Sequence, residues 1–207
     1  MTANEPAPRA GHPYYMHDAI YAQPGALRLV ARGQGAAIEA AAARLRELAH
    51  LLLTGVGTSW HAALVGELLF ARLGGLGLRA RAFHAFELAS YWTEMPGRTG
   101  AIVLSHGGTR RYSREALGRV KAAGGAGVVV TGRAAEAPAD ADWTLRTVEQ
   151  ESSGAHTVSY TTALSLLATL AATTGGKTDV ARSVDGMIPA TVANGTTLFS
   201  FRRSHGW

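Results

Sequence analysis

Hydroxyl-bearing residues, glycines and histidines gather at three places where an apolar run ends. The first is Gly55-Val56-Gly57-Thr58-Ser59. The second is Ser105-His106-Gly107-Gly108-Thr109-Arg110-Arg111, and the third runs from Glu149 to Thr157. Glycine lets a backbone bend sharply after a strand, and hydroxyls at the start of a following helix stand beside unpaired backbone N–H groups. Helix N-termini of this kind attract anions, phosphate above all. Gly57, Thr58 and Ser59 therefore form one candidate anion seat, the alternative being a plain capped strand-to-helix turn.

The second turn repeats the design. Ser105 ends a run, His106 and Gly107 follow, and Thr109 and Ser113 offer further hydroxyls. Arg110 and Arg111 add charge able to grip a phosphate through paired hydrogen bonds. As solvated residues at a helix start, the other reading, they would oppose the helix dipole unless an anion is near. In the third stretch, Glu149 and Glu151 lie close to Ser152, Ser153, His156 and Thr157. Glu151 and His156 suit general acid–base work on a sugar carbonyl. Equally, Ser152 or Ser153 caps the next helix, with Glu151 at its favourable end.

Two nucleotide motifs are weighed and set aside. Gly55 and Gly57 match the first two glycines of a dinucleotide fingerprint, but Trp60 takes the third position, where an indole is expected to prevent close helix–strand packing. No Gly-Lys-Ser/Thr follows, so the turn is not a P-loop.

The elements that must position these turns alternate in type. Apolar runs at 51–54, 78–83, 101–104, 127–131 and, more weakly, 143–148 read as strands. Helical patterns fill 59–73, 86–92, 113–123 and 156–173, and an alanine-rich helix covers 35–49. An earlier amphipathic segment, 14–32, is expected to be broken by Pro24. Alternating strands and helices imply a doubly wound α/β domain with a parallel sheet covered on both faces. Ligands in such domains sit beyond the carboxyl ends of the strands, at the switch point. Residues 1–13 read as a disordered leader, 14–176 as the ligand-binding domain, and 177–207 as an irregular tail or linker.

Composition narrows the classes further. The formal charge is +5 and Lys121 and Lys177 are the only lysines. The arginines are scattered, without a basic run or interleaved aromatics, which speaks against a nucleic-acid partner and for a compositional habit of the source genome. The absence of cysteine excludes disulfides, thiolate metal sites and a cysteine nucleophile. Neither a signal peptide nor an apolar stretch of the ~20 residues a membrane helix needs is present. The expectation is a cytoplasmic protein with no membrane partner, no metal and no cofactor.

With the three turns in view, the chain resembles the sugar isomerase (SIS) domain family, most closely the first half of the isomerase module of the glutamine–fructose-6-phosphate aminotransferases. YMHDAIYAQPGAL at 15–27 resembles the module's opening Tyr-Met-x-x-Glu-Ile-x-Glu-Gln-Pro, and VGTSWHAAL its Cys-Gly-Thr-Ser-Tyr loop. LSHGGTRRYS stands where the family has its Ser-Gln-Ser-Gly-Glu-Thr phosphate loop. EQESSGAHTVSYTTAL stands where it has Glu-x-Gly-Val-Ala-Ser-Thr-Lys-x-Phe-Thr. The resemblance runs from Tyr15 to about Ala172.

It implies a three-layer, flavodoxin-like fold with five parallel strands. It also implies Gly57, Thr58, Ser59 and Ser105 around a sugar phosphate such as fructose 6-phosphate or glucosamine 6-phosphate, with Glu151 beside the sugar. The departures are as informative. Val56 replaces a cysteine, His106 a glutamine, Gly107 a serine, Arg110 a threonine, and His156 the serine of Ala-Ser-Thr-Lys. Two hydroxyl ligands are lost and an arginine is gained, so a shifted phosphate or a different sugar is expected, with Arg110 taking over the lost contacts.

Nothing after Thr174 resembles the family's second SIS domain, so the chain is expected to be a truncated module. The glutamine-hydrolysing domain and its cysteine have no counterpart, and glutamine-dependent amination is set aside. Two functions stand side by side: a sugar-phosphate isomerase or deaminase, and a non-catalytic sensor or regulatory subunit. Self-association as a homodimer is expected through an apolar face of the last helix, at Leu164, Leu167 and Leu170.

Overall fold

The chain is described by a computed structural model, which covers residues 7–30, 32–108, 110–177 and 179. Thr109 and the tail beyond residue 179 lie outside the described residues, and with them the reading of 177–207 as a linker.

Twelve segments follow one another among the described residues: α1 (Tyr15–Val30), α2 (Gly35–Arg46), β1 (His50–Gly55), α3 (Thr58–Arg72), a 3-10 turn (Gly77–Arg79), β2 (Ala80–His84), α4 (Ala85–Ser90), β3 (Thr99–Leu104), α5 (Arg111–Ala122), β4 (Ala126–Thr131), β5 (Trp143–Arg146) and α6 (Val158–Thr174). The five strands form one sheet in the order β2-β1-β3-β4-β5, every pair parallel. This is the flavodoxin-like order, and it places the topological switch point between β1 and β3.

Strand alternation distributes the core between two faces. Leu51 and Leu53, Ile102 and Leu104, and Val128 and Val130 point to the face covered by α1, α2, α3 and α6. Leu52, Ala101, Val103 and Val129 point to the other, where Leu88 of α4 and Ala116, Leu117 and Val120 of α5 close over them. Apolar residues at successive positions are what a sheet buried on both faces requires. The edge strand β5 is shielded by a side chain: Gln34 donates to the Arg146 carbonyl at 2.9 Å and accepts from the Arg146 N–H at 2.6 Å. That amide satisfies two backbone groups that an edge strand would otherwise leave open.

Three expectations need correction. Pro24 does not break α1; it lies inside it. Proline removes the N–H that would bond the carbonyl four residues back, and here that carbonyl, of Ile20, accepts from Gln23 Nε2 at 3.2 Å instead. Second, β2 starts at Ala80 rather than Leu78, because residues 77–79 wind into the 3-10 turn and leave Leu78 exposed. Third, the last helix has no uncovered apolar face of the kind expected. Leu167 and Leu170 are fully buried, and α6 packs against α1, α2 and α3 together.

Candidate functional site: two open helix starts at the switch point

Parallel pairing brings the first two turns together. Thr54 of β1 is in register with Val103 of β3, so Gly57-Thr58-Ser59 and Ser105-His106-Gly107 emerge side by side, one strand spacing (~4.8 Å) apart. Gly55 permits the close approach of α3 to β1: a Cβ there would stand 2.6 Å from the Ser59 carbonyl carbon. The close packing that Trp60 was expected to forbid is therefore achieved, with the indole turned aside against the His84 ring at 5.7 Å. Gly57 adopts a φ of 61°, a conformation that favours glycine, and a Cβ there would meet nothing within 4 Å. The space above this turn is open.

Among the described residues, no side chain caps either helix that begins at the switch point. For α3 the N-cap is Gly57, no side chain caps it, and its first turn carries no acid. Among the described residues, nothing accepts from the N–H groups of Thr58 or Ser59. For α5 the N-cap is Arg110, again with no capping side chain and no acid in the first turn. Arg111 is committed to Glu115 at 2.7 Å, whereas Arg110 is exposed and makes no ion pair among the described residues. A helix start surrounded by arginines and free of carboxylates is unfavourable alone and favourable beside an anion. Two buried hydroxyls at the same end point the same way: Ser105, at 5% exposure, and Ser113, at 2%, have Oγ atoms with no hydrogen-bond partner. Buried polar groups are nearly always satisfied, so each orphan calls for a missing partner.

The third helix differs. Glu151 folds back over the start of α6 and fills it. One carboxylate oxygen accepts from the Thr157 N–H at 2.9 Å, and the other from the N–H and hydroxyl of Ser159, both at 2.6 Å. Burial pushes this carboxyl upward, but the bonds from Ser159, Thr157 and Val158 outweigh it and hold Glu151 below the ordinary carboxylate range. A carboxylate so occupied is a poor base. Ser153 does not cap the helix; its Oγ accepts from the Ala155 N–H at 3.2 Å.

His106 turns away from β1, toward the ends of β4 and β5. Its ring lies against Gly132, its Nδ1 meets Thr147 Oγ1 at 3.2 Å, and its centroid is 5.9 Å from that of His156. Burial, reinforced by His156, pushes the His106 imidazole below its ordinary value; Glu151 and the carboxylate and carbonyl of Glu149 offset this only in part. The predicted residues thus form two neighbouring groups. Gly57, Thr58 and Ser59 stand at the start of α3 and Ser105, Gly107 and Arg110 between β3 and α5, while the His106 and His156 rings lie 5.9 Å apart. Sequence reasoning missed Thr147 and Arg146. Both stand at or just beyond the carboxyl end of a strand, the one signal that could have drawn attention to them. Arg146 ties down the chain after β4 by donating to the carbonyls of Gly132 at 3.0 Å and Ala135 at 2.5 Å. Gly108 packs against that same segment, since a Cβ there would collide with the Glu136 carbonyl oxygen.

A cavity of about 360 Å³ lies between α1 and the β5–α6 loop, lined by Tyr15, Ala19, Val148, Glu149, Glu151 and Ser153 among others. Its cation, Arg9, is already paired with Asp18 at 2.6 Å. This cavity and the two open helix starts therefore do not coincide, and the helix starts are the stronger mark of an anion site. Among the described residues, no cluster of three or more metal-binding side chains forms, and no helix is long and apolar enough to cross a membrane.

No protein-family profile matches the chain. Comparison with curated proteins finds the isomerizing glutamine–fructose-6-phosphate aminotransferase of Aeropyrum pernix, 33% identical over 147 residues, which is 69% of this chain and 24% of that protein. The Pyrococcus horikoshii enzyme of the same name is 31% identical over 192 residues, 89% of this chain and 31% of that one. The chain thus spans 24% and 31% of these two relatives, less than a third of either. Among solved structures, the C-terminal domain of glucosamine-fructose-6-phosphate aminotransferase from Francisella tularensis superposes with a TM-score of 0.71 at 17% identity, over 90% of this chain and 56% of that one. The Vibrio vulnificus NanR protein, solved in complex with ManNAc-6P, gives a TM-score of 0.57 at 15% identity, over 88% and 69%.

Proposed function

We propose that the chain, 31–33% identical over most of its own length to isomerizing glutamine–fructose-6-phosphate aminotransferases, is a sugar isomerase (SIS) domain that binds a phosphorylated sugar, such as fructose 6-phosphate or glucosamine 6-phosphate, with the phosphate at the switch point. The observation that carries this reading is the contrast between helix starts. α3 and α5 begin side by side with no carboxylate and no cap, while α6 is closed by Glu151. In this arrangement the N–H groups of Thr58 and Ser59 and the hydroxyl of Ser105 face the phosphate, the Gly57 turn leaves it room, and Arg110 approaches from α5.

Glu151 we assign to holding α6 in place. Any proton movement at the sugar then falls to His156 and His106, whose ring nitrogens are not committed in this way. The ligand class and the absence of a membrane-crossing helix among the described residues support a cytoplasmic location. A homodimer belongs to the same proposal, formed through α3, where Leu64 (42% exposed) and Leu68 (65%) stand one turn apart on the surface. Light scattering that finds only monomer at micromolar concentration would remove that part.

Titration calorimetry tests the central claim. Fructose 6-phosphate is expected to bind, and free fructose much more weakly, because two helix starts reward a dianion far more than a hydroxyl. Equal affinity for the two would remove the basis of the assignment.

A further inference from the structure

We infer that His106 and His156 are a single proton-accepting unit of this site, and that binding a phosphosugar draws one proton from solvent onto His106. The inference rests on the proposed phosphosugar reading and adds the state in which the site receives its ligand.

The hydrogen bonds around His106 determine its tautomer. The hydroxyl of Thr147 donates to the Thr131 carbonyl at 3.0 Å, so its one proton is committed. At the 3.2 Å contact with His106 Nδ1, Thr147 Oγ1 can then only accept. Nδ1 therefore carries the hydrogen, and the lone pair of the neutral ring is on Nε2. That atom is buried and has no hydrogen-bond partner. The His156 ring stands 5.9 Å away, and its own Nδ1 is likewise buried and unpartnered. Two neighbouring imidazole rings, each with a nitrogen unpartnered among the described residues, at two positions where the family resemblance has glutamine and serine, point to a joint role.

Charges on the surrounding elements set the direction. The β5–α6 loop brings Glu149 and Glu151 as well as His156, and Arg146 lies at the end of β5. Arg133 and Glu136 sit on the segment after β4, and Arg110 and Arg111 start α5, the latter paired with Glu115. In the free protein burial and the second imidazole push the His106 imidazole below its ordinary value, against the opposing pull of Glu149 and Glu151. A phosphate dianion at the nearby α5 start adds two negative charges, which low local dielectric leaves poorly screened. The proton then enters at Nε2, and the backbone of Glu149 already favours the charged ring. No other bond is made or broken. Thr147 acts as a positioning residue, since its acceptor oxygen alone selects which nitrogen is left open.

The test is long-range proton–nitrogen NMR on the full chain at about pH 8, where a phosphate monoester is a dianion. His106 is assigned by the disappearance of its signals in His106→Gln. In the free protein it should show the neutral ring with hydrogen on Nδ1. Saturation with fructose 6-phosphate should convert it to the imidazolium pattern at unchanged pH, with proton uptake seen by calorimetry in buffers of different ionisation enthalpy. Thr147→Val should mix the two tautomers in the free protein. Hydrogen on Nε2 in the free protein, or a ring still neutral in the saturated complex, overturns the inference while leaving phosphosugar binding intact. Failure of both fructose 6-phosphate and inorganic phosphate to bind would instead sink the functional reading, and this inference with it.

Discussion

If the start of α3 is an empty anion seat, filling it from within should have opposite effects on stability and on binding. Thr58 is the first residue of that helix and is exposed, so Thr58→Asp disturbs no packing. An aspartate in the first turn complements the helix dipole and should stabilise the free protein by about 0.3–1 kcal/mol, or about 1–4 °C in Tm for a chain of this size. For the ligand the same carboxylate is an obstacle. Two unit charges about 5 Å apart near a protein surface repel by about 3 kcal/mol. A dianion doubles that, and even after halving for solvent and salt the loss is about 3 kcal/mol, about a hundredfold or more in affinity. Thermal unfolding with and without fructose 6-phosphate reads both effects in one experiment. Wild type should gain in Tm as ligand is added, by mass action; the variant should start higher and gain little. A variant that melts lower when free, or that binds as tightly as wild type, would refute the idea that α3 waits for an anion.

The remaining expectations follow from single contacts. Glu151→Gln should cost about 2–4 kcal/mol at neutral pH, because it sets an amide against the N–H donors at the start of α6. Since the folded state depresses this carboxyl, its contribution is present above the unfolded pKa and is lost as pH falls through the folded one. Denaturant unfolding should therefore find the penalty large at about pH 7 and much reduced at about pH 3. Gln23→Ala should cost about 1–2 kcal/mol by leaving the Ile20 carbonyl unpaired, and most of that should vanish in a Pro24→Ala background, where the backbone N–H returns. Arg110→Ala should weaken sugar-phosphate binding by about 1.5–3 kcal/mol in calorimetry, and Arg111→Ala by less, since Arg111 is held by Glu115.

How far these features could be read from the amino-acid sequence depended on whether they are local. Val128-Val129-Val130 announces a strand buried on both faces, and the alanine-rich stretch before β1 announces a helix, because propensity and burial agree there. The glycine–hydroxyl turns at 55–59 and 105–108 are equally local, and the structure places both where strands end. Pro24 was misread for the opposite reason. Its own chemistry breaks helices, and only the neighbouring Gln23 side chain, which serves the stranded carbonyl, cancels that rule. Leu164, Leu167 and Leu170 looked like a free face because sequence periodicity shows that a stripe is apolar but not how many helices will cover it. Here three do.

Strand order is the property no local pattern carries, and the site depends on it. Only because β1 lies beside β3 do the first two turns emerge side by side, and only because β4 and β5 follow on the other side does His106 find Thr147 and His156. The same order explains why Glu151 changes character between sequence and structure. Beside a histidine in the chain it resembles an acid–base partner. In the fold it lies at the start of a helix whose backbone N–H groups claim both its oxygens. That leaves the domain with one helix start neutralised by its own carboxylate and two left open next to each other. An anionic ligand is what completes such a pattern, because it supplies at α3 and α5 the charge that Glu151 supplies at α6.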